Sequence, residues 1–491
     1  MSYPPPAIPA PFPKRTRLKA TLIVVGITLL ACWAMILSGN MSGRGAADDL
    51  NFHWLAINQF ADQLPRPDLS DYASATTPGY HLLLAPLAAA GFNHTAIQLV
   101  ASVWTLCLLG VLAWVISRRA GMAAVVLTLP VIASMYVLFP GIWLLPDNAG
   151  WLLVLLIVLL SLRPNPGWGT WMLGGALLLV LVWMRQVHIW AAAPLWLAAW
   201  LGGNDTTPSP ARFFGSFYTR AGRTCIAIAC TVPAFIALAW FVLTWEGLVP
   251  PTFQNMHQGP NIATTGFILT QLAILSVFFT PLLWPRLREL WSHHWRWILA
   301  AAALGLILGV IPHSSYFYDE GRYGGWWNVI GKLPTAADRS PVFVLGSLAG
   351  SLALVVWLSL ADRRSVWIWV GVLVAFTLAQ TANHASWQRY HEPLLLFMIL
   401  LILGRSAVIE RCKARIVLGA ACLTLMLAAI TIASIISTES LLVDPEQAGE
   451  PENSAFHAPD PHSNPLGPRD GERRSFRHET AQSPIPTRMG A

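Results

Sequence analysis

Charged residues are scarce in this chain of 491 residues. Only 11% are Asp, Glu, Lys or Arg, 55% are hydrophobic, and the mean hydropathy is positive. Because soluble globular domains carry roughly 25% charged residues, this composition excludes that class and predicts many membrane spans. The net charge of +7 is modest. The basic residues fall in short loops, which is typical of topology signals rather than of a nucleic-acid surface.

Cysteine is rare as well, and the pattern of a metal site is missing. None of the six cysteines falls in a segment that we predict to lie outside, so the sequence predicts no disulfide framework. The His and Asp residues of the predicted outer loops lack the spacing of metal ligands. We therefore expect no metal.

Long apolar runs make up most of the chain. Their lengths approach the roughly 20 residues that a membrane-spanning helix needs. We predict an all-α polytopic membrane protein with about thirteen spans in a transmembrane domain over residues 18–437. The predicted spans are 18–38, 95–116, 121–139, 148–162, 170–184, 187–202, 223–244, 264–284, 297–312, 341–360, 365–380, 391–404 and 416–437.

Basic residues near the ends of these spans set the predicted orientation. Residues 1–17 form a basic, Pro-rich tail, and with this tail in the cytoplasm the Arg-rich loops all lie inside. The first large loop, 39–94, then lies outside, as does the polar and disordered tail 438–491. The predicted inside loops include Arg118, Arg119, Arg163, Arg286, Arg288, Arg363, Arg364 and Arg405.

The first outer loop opens with two adjacent carboxylates, Asp48 and Asp49. Apolar residues then recur at helical spacing, which predicts an amphipathic helix over 49–64 that lies on the outer membrane surface. Asp49 and His53 are four residues apart and are expected to share a face of this helix.

The other outer loops hold most of the remaining candidate polar chemistry. Asp147, Arg185 and Arg389 directly adjoin predicted spans, where ionisable groups are costly and commonly functional. A channel or an alternating-access carrier needs polar groups at mid-membrane depth, and the predicted spans have few. The pattern therefore favours a one-sided active site. A transporter or flippase of lipid-linked glycans is the alternative, and a structural membrane component is a third.

Six short segments of the chain, in order, match one known pattern. They are Asp49-Leu-Asn-Phe52-His53, Thr76-Thr77-Pro78-Gly79, Arg185-Gln186, Trp245-Glu246-Gly247, His313-Ser-Ser-Tyr-Phe-Tyr-Asp319 with Tyr323, and Arg389-Tyr390. In these segments the chain resembles the GT-C superfamily of membrane glycosyltransferases. Within it, the chain is most similar to the dolichyl-phosphoglucose-dependent alpha-1,2-glucosyltransferases, which add the last glucose to the eukaryotic lipid-linked oligosaccharide.

The resemblance implies the reaction and its partners. It implies a GT-C-like bundle that moves a hexose, glucose in that family, from a polyprenyl phosphate to an acceptor glycan or lipid. The transfer is a single inverting displacement without a covalent enzyme intermediate and without a cofactor. The expected partners are the lipid-linked donor, the acceptor and membrane lipid, with no nucleic acid. We expect a bacterial inner membrane protein with its site outside; the endoplasmic reticulum membrane is the alternative.

The candidate residues receive roles from this chemistry. Asp49 is the expected general base, with Asp48 as the alternative. Forked donors of arginine suit a departing phosphate, and a wider set is expected to bind the donor. The donor-binding candidates are Arg185, Gln186, Arg322, Arg389, Tyr390 and His53. The supporting candidates are Asp147, Glu246, His313 and Asp319.

Each candidate also has a structural interpretation. Asp48, Asp49 and Asp147 can cap helices, and His53 can pack at the membrane interface. The span-edge arginines can extend to the interface without binding anything. Asp319 and Arg322 can pair with each other to order their loop.

Overall fold

The computed structural model describes residues 11–39, 41, 44–202, 210–254, 259–313 and 325–437. This part is all-helical and has no β-strand. The predicted residues Asp319, Arg322 and Tyr323, and the predicted disordered tail, lie outside the described residues. The α-helices are α1 Lys14–Leu37, α2 Arg44–Asp48, α3 Trp54–Gln63, α4 Gly79–Ala89, α5 His94–Ala101, α6 Val103–Ala120, α7 Ala123–Ala133, α8 Met135–Ile142, α9 Asp147–Ser161, α10 Trp168–Met184, α11 Ala192–Leu201, α12 Pro210–Trp245, α13 Ala263–Val277, α14 Thr280–Val310, α15 Trp326–Gly331, α16 Pro341–Ser359, α17 Arg363–Thr381, α18 Glu392–Arg405, α19 Val408–Arg411 and α20 Lys413–Ser437.

The lengths and the apolar character of several helices are compatible with a multi-pass membrane protein. Within the described residues, seven helical stretches are long and apolar enough to cross a membrane, or eight if α7 and α8, bent by 76°, form one span. The seven are Lys14–Leu37, His94–Ala120, Phe217–Trp245, Thr280–Val310, Pro341–Ser359, Arg363–Thr381 and Lys413–Ile436. All thirteen predicted spans coincide with helical segments. Several are too short to qualify, so the count of about thirteen remains a prediction.

One boundary differs from the sequence prediction. The predicted inside loop 285–296 is helical and belongs to α14, which has a kink at His294 with φ −139° and ψ 32°. The chain turns instead between α13 and α14. Arg286 and Glu289 form an ion pair of 2.6 Å at a spacing of three residues, which suits a helix. The basic residues of segment 285–296 lie at one end of the bundle, and the helix continues through them.

Two short helices, α9 and α18, form the centre of the bundle. Nearly every residue of α9 is buried, and so is every residue of α18 up to Gly404. A helix in contact with lipid exposes one face, so these two are enclosed by other helices. Glycines let the surrounding helices approach closely: a Cβ at Gly350 of α16 would lie 1.8 Å from the Leu269 carbonyl oxygen of α13.

The amphipathic segment of the first loop forms, but in three pieces. Helix α2 ends at Asp48, residues 49–53 form one π-helical turn, and α3 ends at Gln63, before Pro65. Ala56, Ile57 and Phe60 are fully buried and give α3 its apolar face. Residues 54–63 of the predicted segment are therefore helical, whereas an amphipathic helix on the membrane surface remains a prediction.

The bundle has two ends with different chemistry. We call the end that holds the first loop and the starts of α9 and α18 the loop end. We call the opposite end, where α9, α11 and α16 finish and α17 begins, the arginine end. At the arginine end, guanidinium groups donate to backbone carbonyls just at or beyond helix C-termini. These bonds are Arg405 to Leu162 (2.9 Å), Arg364 to Gly202 (3.1 Å) and Arg286 to Ser359 (3.2 Å).

Candidate functional site

Two ion pairs meet at the loop end. Arg185 Nη1 lies 2.9 Å from Asp147 Oδ2, and Arg389 Nη1 lies 2.9 Å from Asp48 Oδ2. Tyr390 joins the pairs, because its ring centroid lies 5.3 Å from the guanidinium carbon of Arg185 and 5.1 Å from that of Arg389. Asp147 also acts electrostatically on Arg389. We call these five residues the paired-charge cluster.

The ends of helices position the members of this cluster. Asp147 is the first residue of α9, and Asp48 is the last residue of α2. Arg185 follows α10 with an extended backbone, φ −163° and ψ 95°, before a 3-10 turn over Gln186–Ala191. Arg389 and Tyr390 belong to the 3-10 turn Gln388–Tyr390, which leads into α18. Helix ends therefore carry the two carboxylates, and irregular backbone carries Arg185, Arg389 and Tyr390.

The two pairs differ in exposure. The side chains of Arg185 and Asp147 are only 7% and 6% exposed, whereas those of Arg389 and Asp48 are 28% and 18% exposed. Removing one partner of an enclosed ion pair strongly destabilises the fold, because the other charge stays buried without a counterion. The outer pair is open to an incoming ligand, while the inner pair is fixed in place.

Asp49 points away from this cluster. It is fully buried, and its carboxylate contacts His94 Nε2 at 3.1 Å and accepts a hydrogen bond from Gln98 Nε2 at 3.1 Å. Asp49 and His53 belong to one π-helical turn over residues 49–53, but their side chains contact different residues. Their placement on one helical face remains a prediction. The adjacent carboxylates of Asp48 and Asp49 therefore contact different residues.

His53 contacts a histidine that the sequence did not single out. Its Nδ1 lies 2.9 Å from Nε2 of His81 in α4. Burial lowers the pKa of the His53 imidazole well below its usual value. The His81 ring and the positive charges of Arg389 and Arg185 lower it further, so His53 is neutral. The apolar run around His81 gave no signal for this contact.

Gln186 holds three segments of the loop end together. Its Oε1 accepts from the Thr77 backbone N–H at 2.9 Å, and its Nε2 donates to the carbonyls of Ala75 and Leu248 at 3.0 Å each. Since these bonds occupy both ends of the amide, Gln186 positions the loops beside Arg185. Its predicted contact with a donor remains a prediction.

The remaining predicted residues lie elsewhere at or beside this end. Glu246, with a left-handed φ of 53°, lines a cleft of about 330 Å³. Asp71 and Gln254 line the same cleft. His313 is exposed and is the last described residue before 314–324. Of the candidate site residues, the structure brings together Asp48, Asp147, Arg185, Arg389 and Tyr390, whereas Asp49 contacts other residues.

Glu392 is a further buried carboxylate that received no predicted role. Its oxygens accept hydrogen bonds of 2.5 Å from the hydroxyl of Ser134 and the amide of Gln388. Gln388 also accepts from the backbone N–H of Trp326 at 2.8 Å. These bonds fix the turn that carries Arg389, and they connect it to the segment that follows residues 314–324.

The described part of the chain contains no group of three or more His, Cys, Asp or Glu side chains that could hold a metal ion. The expectations on metal and cofactors remain predictions. Comparison of the chain with protein-family models finds no match, and comparison with curated proteins finds none either.

Proposed function

We propose that the protein is an integral-membrane glycosyltransferase that moves a hexose from a polyprenyl phosphate to an acceptor glycan or lipid. The paired-charge cluster is the observation that carries this proposal. Two guanidinium groups flank one tyrosine ring, beside carboxylates, at one end of an apolar bundle. This arrangement suits a substrate with a phosphate head and a lipid tail.

The arginines supply the phosphate site. Guanidinium groups bind phosphate through forked hydrogen bonds, and they stabilise the negative charge of a departing phosphate. Asp147 holds Arg185 in place, so its cation is oriented before a ligand arrives. Arg389 is partly exposed and can exchange its contact with Asp48 for one with phosphate.

The same exchange of partners by Arg389 leaves Asp48 able to act as the general base. Once phosphate takes over Arg389, Asp48 loses its ion-pair partner, and its carboxylate is free to accept a hydrogen bond from the acceptor hydroxyl. The acceptor oxygen attacks the anomeric carbon while Asp48 takes its proton. The bond from the anomeric carbon to the phosphate oxygen breaks, and its electron pair leaves with polyprenyl phosphate. The configuration inverts in this one displacement.

The surroundings favour Asp48 over Asp49 as this base. Asp49, the choice from the sequence pattern, is fully buried and is held by His94 and Gln98. A general base must come within hydrogen-bond reach of the acceptor hydroxyl. Asp48 is partly exposed and faces the arginines, while Asp49 supports the fold of the first loop.

We infer that the loop end faces the outer side, since the basic residues gather at the arginine end. A bacterial inner membrane with undecaprenyl phosphate as the carrier is the proposed setting. The GT-C-like resemblance of the sequence supports the reaction type.

The test is a transfer assay with the purified protein in lipid nanodiscs. The donor is a polyprenyl phosphate that carries a radiolabelled hexose, and the acceptors are glycans and lipid-linked sugars. We expect transfer of label, with release of polyprenyl phosphate and an inverted anomeric centre. Movement of intact lipid-linked glycan across proteoliposomes, without any transfer, would instead establish the transporter or flippase.

A further inference from the structure

Buried polar groups without partners line the interior just behind the paired-charge cluster. Within the described residues, both ring nitrogens of His188 and both ends of the Gln380 amide lack a hydrogen-bond partner. The same holds for Nε2 of His391, Oε1 of Gln271 and Nε1 of Trp190. All five side chains are nearly or fully buried, with exposures from 0% to 6%. We call them the buried polar row.

Ring contacts through Phe376, one side-chain contact and helical spacing connect the row. The rings of His188 and Trp190 lie 6.1 Å apart, and Trp190 lies 5.3 Å from Phe376. Phe376 lies 5.9 Å from His391, whose Nδ1 is 3.1 Å from Gln271 Nε2. Gln380 follows Phe376 by one helical turn and so shares its face of α17. The five groups therefore form one continuous strip.

The strip begins at the proposed phosphate site. His188 lies three residues after Arg185, and its backbone N–H donates to the Arg185 carbonyl at 3.2 Å. His391 lies two residues after Arg389, at the start of α18. A ligand whose phosphate contacts these arginines would have its next chemical group beside the row.

Leaving so many buried groups unpaired is costly, because each loses its hydrogen bonds to water. Such groups are commonly satisfied by ordered water or by a ligand. Amide, imidazole and indole groups offer both donors and acceptors without a fixed charge, and a sugar hydroxyl can both donate and accept. The aromatic rings of Trp151, Trp190 and Phe376 supply the apolar walls that ligand sites commonly have.

We propose that the buried polar row binds the hydroxyl groups of the sugar carried by the polyprenyl phosphate. This inference rests on the proposed function and narrows its substrate to a neutral hexose. The row has no carboxylate or guanidinium to pair with a charged substituent. A uronic acid or a free amino sugar would leave its own charge unpaired there, so the site discriminates against both.

The test uses variants whose effects on stability and on binding differ in sign. Replacing an unpaired buried amide by an apolar side chain of similar shape removes a desolvation cost. We therefore expect Gln380→Met to melt at the same temperature as the wild type or higher, while it loses one hydrogen bond to the sugar. Gln271→Met also loses the contact of Nε2 with His391 Nδ1, so its melting temperature should fall. Thr231→Val is the matched control. Thr231 is buried in α12 and already paired, donating to Ile228 O at 2.7 Å and accepting from Trp196 Nε1 at 3.0 Å.

Binding is measured for two lipids in nanodiscs: polyprenyl phosphate with a hexose, and polyprenyl phosphate alone. We expect Gln380→Met and Gln271→Met to weaken binding of the hexose lipid by about tenfold, and to leave binding of the bare phosphate lipid unchanged. Thr231→Val should lower the melting temperature and change neither affinity. In addition, methyl glucoside at high concentration should raise the melting temperature of the wild type but not of Gln380→Met.

The outcomes separate the two proposals. If both lipids bind the wild type and the glutamine variants keep the same affinity ratio, the row holds only water and this inference fails alone. If neither lipid binds the wild type, the proposed function fails, and the inference fails with it. A uronate-bearing lipid that binds more tightly than the hexose lipid would also overturn it.

Discussion

Two arginines at one end of the bundle have a different kind of partner from two arginines at the other end. At the arginine end, Arg364 and Arg405 donate to carbonyls that follow helices α11 and α9, where the helix dipole favours a cation. At the loop end, Arg185 and Arg389 pair with carboxylate side chains. A backbone carbonyl at the end of a helix is fixed in place, whereas a carboxylate side chain can move and exchange its arginine partner for another. The comparison therefore separates arginines that complete helices from arginines that are available to a ligand.

The largest expected effect comes from Asp48→Asn. If Asp48 takes the acceptor proton, this variant keeps the shape of the side chain but loses the base, and turnover should fall by ~10²–10⁴-fold. Donor affinity should change much less, since arginines and the lipid tail carry it. Turnover and donor binding are measured on the purified protein in nanodiscs. Asp49→Asn is the matched variant, and its turnover should stay higher; the reverse ranking would assign the base to Asp49.

Arginines at the two ends should respond differently to truncation. Arg389→Ala should reduce turnover by about 10²–10³-fold, because it removes a donor to the departing phosphate, and it should also weaken donor binding. Arg405→Ala at the arginine end should lower the melting temperature and leave donor affinity unchanged. Equal losses of donor affinity in both variants would remove the distinction between the two ends.

The inner ion pair should be more important to stability than any single contact at the arginine end. Asp147→Asn leaves the enclosed Arg185 without its counterion and should lower the free energy of unfolding by about 3–5 kcal/mol. The double variant Asp147→Leu with Arg185→Met should recover most of this stability without recovering activity. Chemical denaturation of the protein in detergent measures both. A single variant as stable as the wild type would mean that Arg185 finds another partner.

The smallest expected effect concerns pH. The pKa of His53 is depressed in the folded protein, so the unfolded state binds the extra proton first as pH falls through about 6.5. The stability linked to His53 is therefore complete above this pH. It decreases by about 1.4 kcal/mol per pH unit below it, as long as the folded imidazole stays neutral. His53→Gln should flatten the dependence of unfolding free energy on pH between 6.5 and 5. An unchanged slope would show that His53 accepts a proton in the fold.

Several members of the site could be predicted, because a residue that adjoins an apolar run is expected to lie near the edge of the membrane. Asp147, Arg185 and Arg389 each adjoin an apolar run, and an ionisable group at such a boundary indicates a partner or a function. Their partners could not be predicted. The pairing of Arg389 with Asp48 joins residues 341 positions apart, and nothing in the local pattern indicates which carboxylate is chosen.

The sequence also could not predict that Asp48 and Asp49 contact different residues. This difference depends on the contacts of Asp48 with Arg389 and of Asp49 with His94 and Gln98, which join residues far apart in the chain. The apolar runs located helical segments at all thirteen predicted spans, yet they could not distinguish a helix that crosses lipid from α9 or α18, which neighbouring helices enclose. Hydropathy reports how apolar a segment is, whereas packing decides what surrounds it.

The enclosure of α9 and α18 also has a consequence for the membrane around the protein. Hydrophobic mismatch acts on helices that touch acyl chains, and they respond to a thicker or thinner membrane by tilting. The helices that begin with Asp147 and Glu392 touch protein instead, so their depth is set by their neighbours. A change in acyl-chain length should tilt the peripheral helices α12 and α14 first, while the spacing between Arg185 and Arg389 stays fixed.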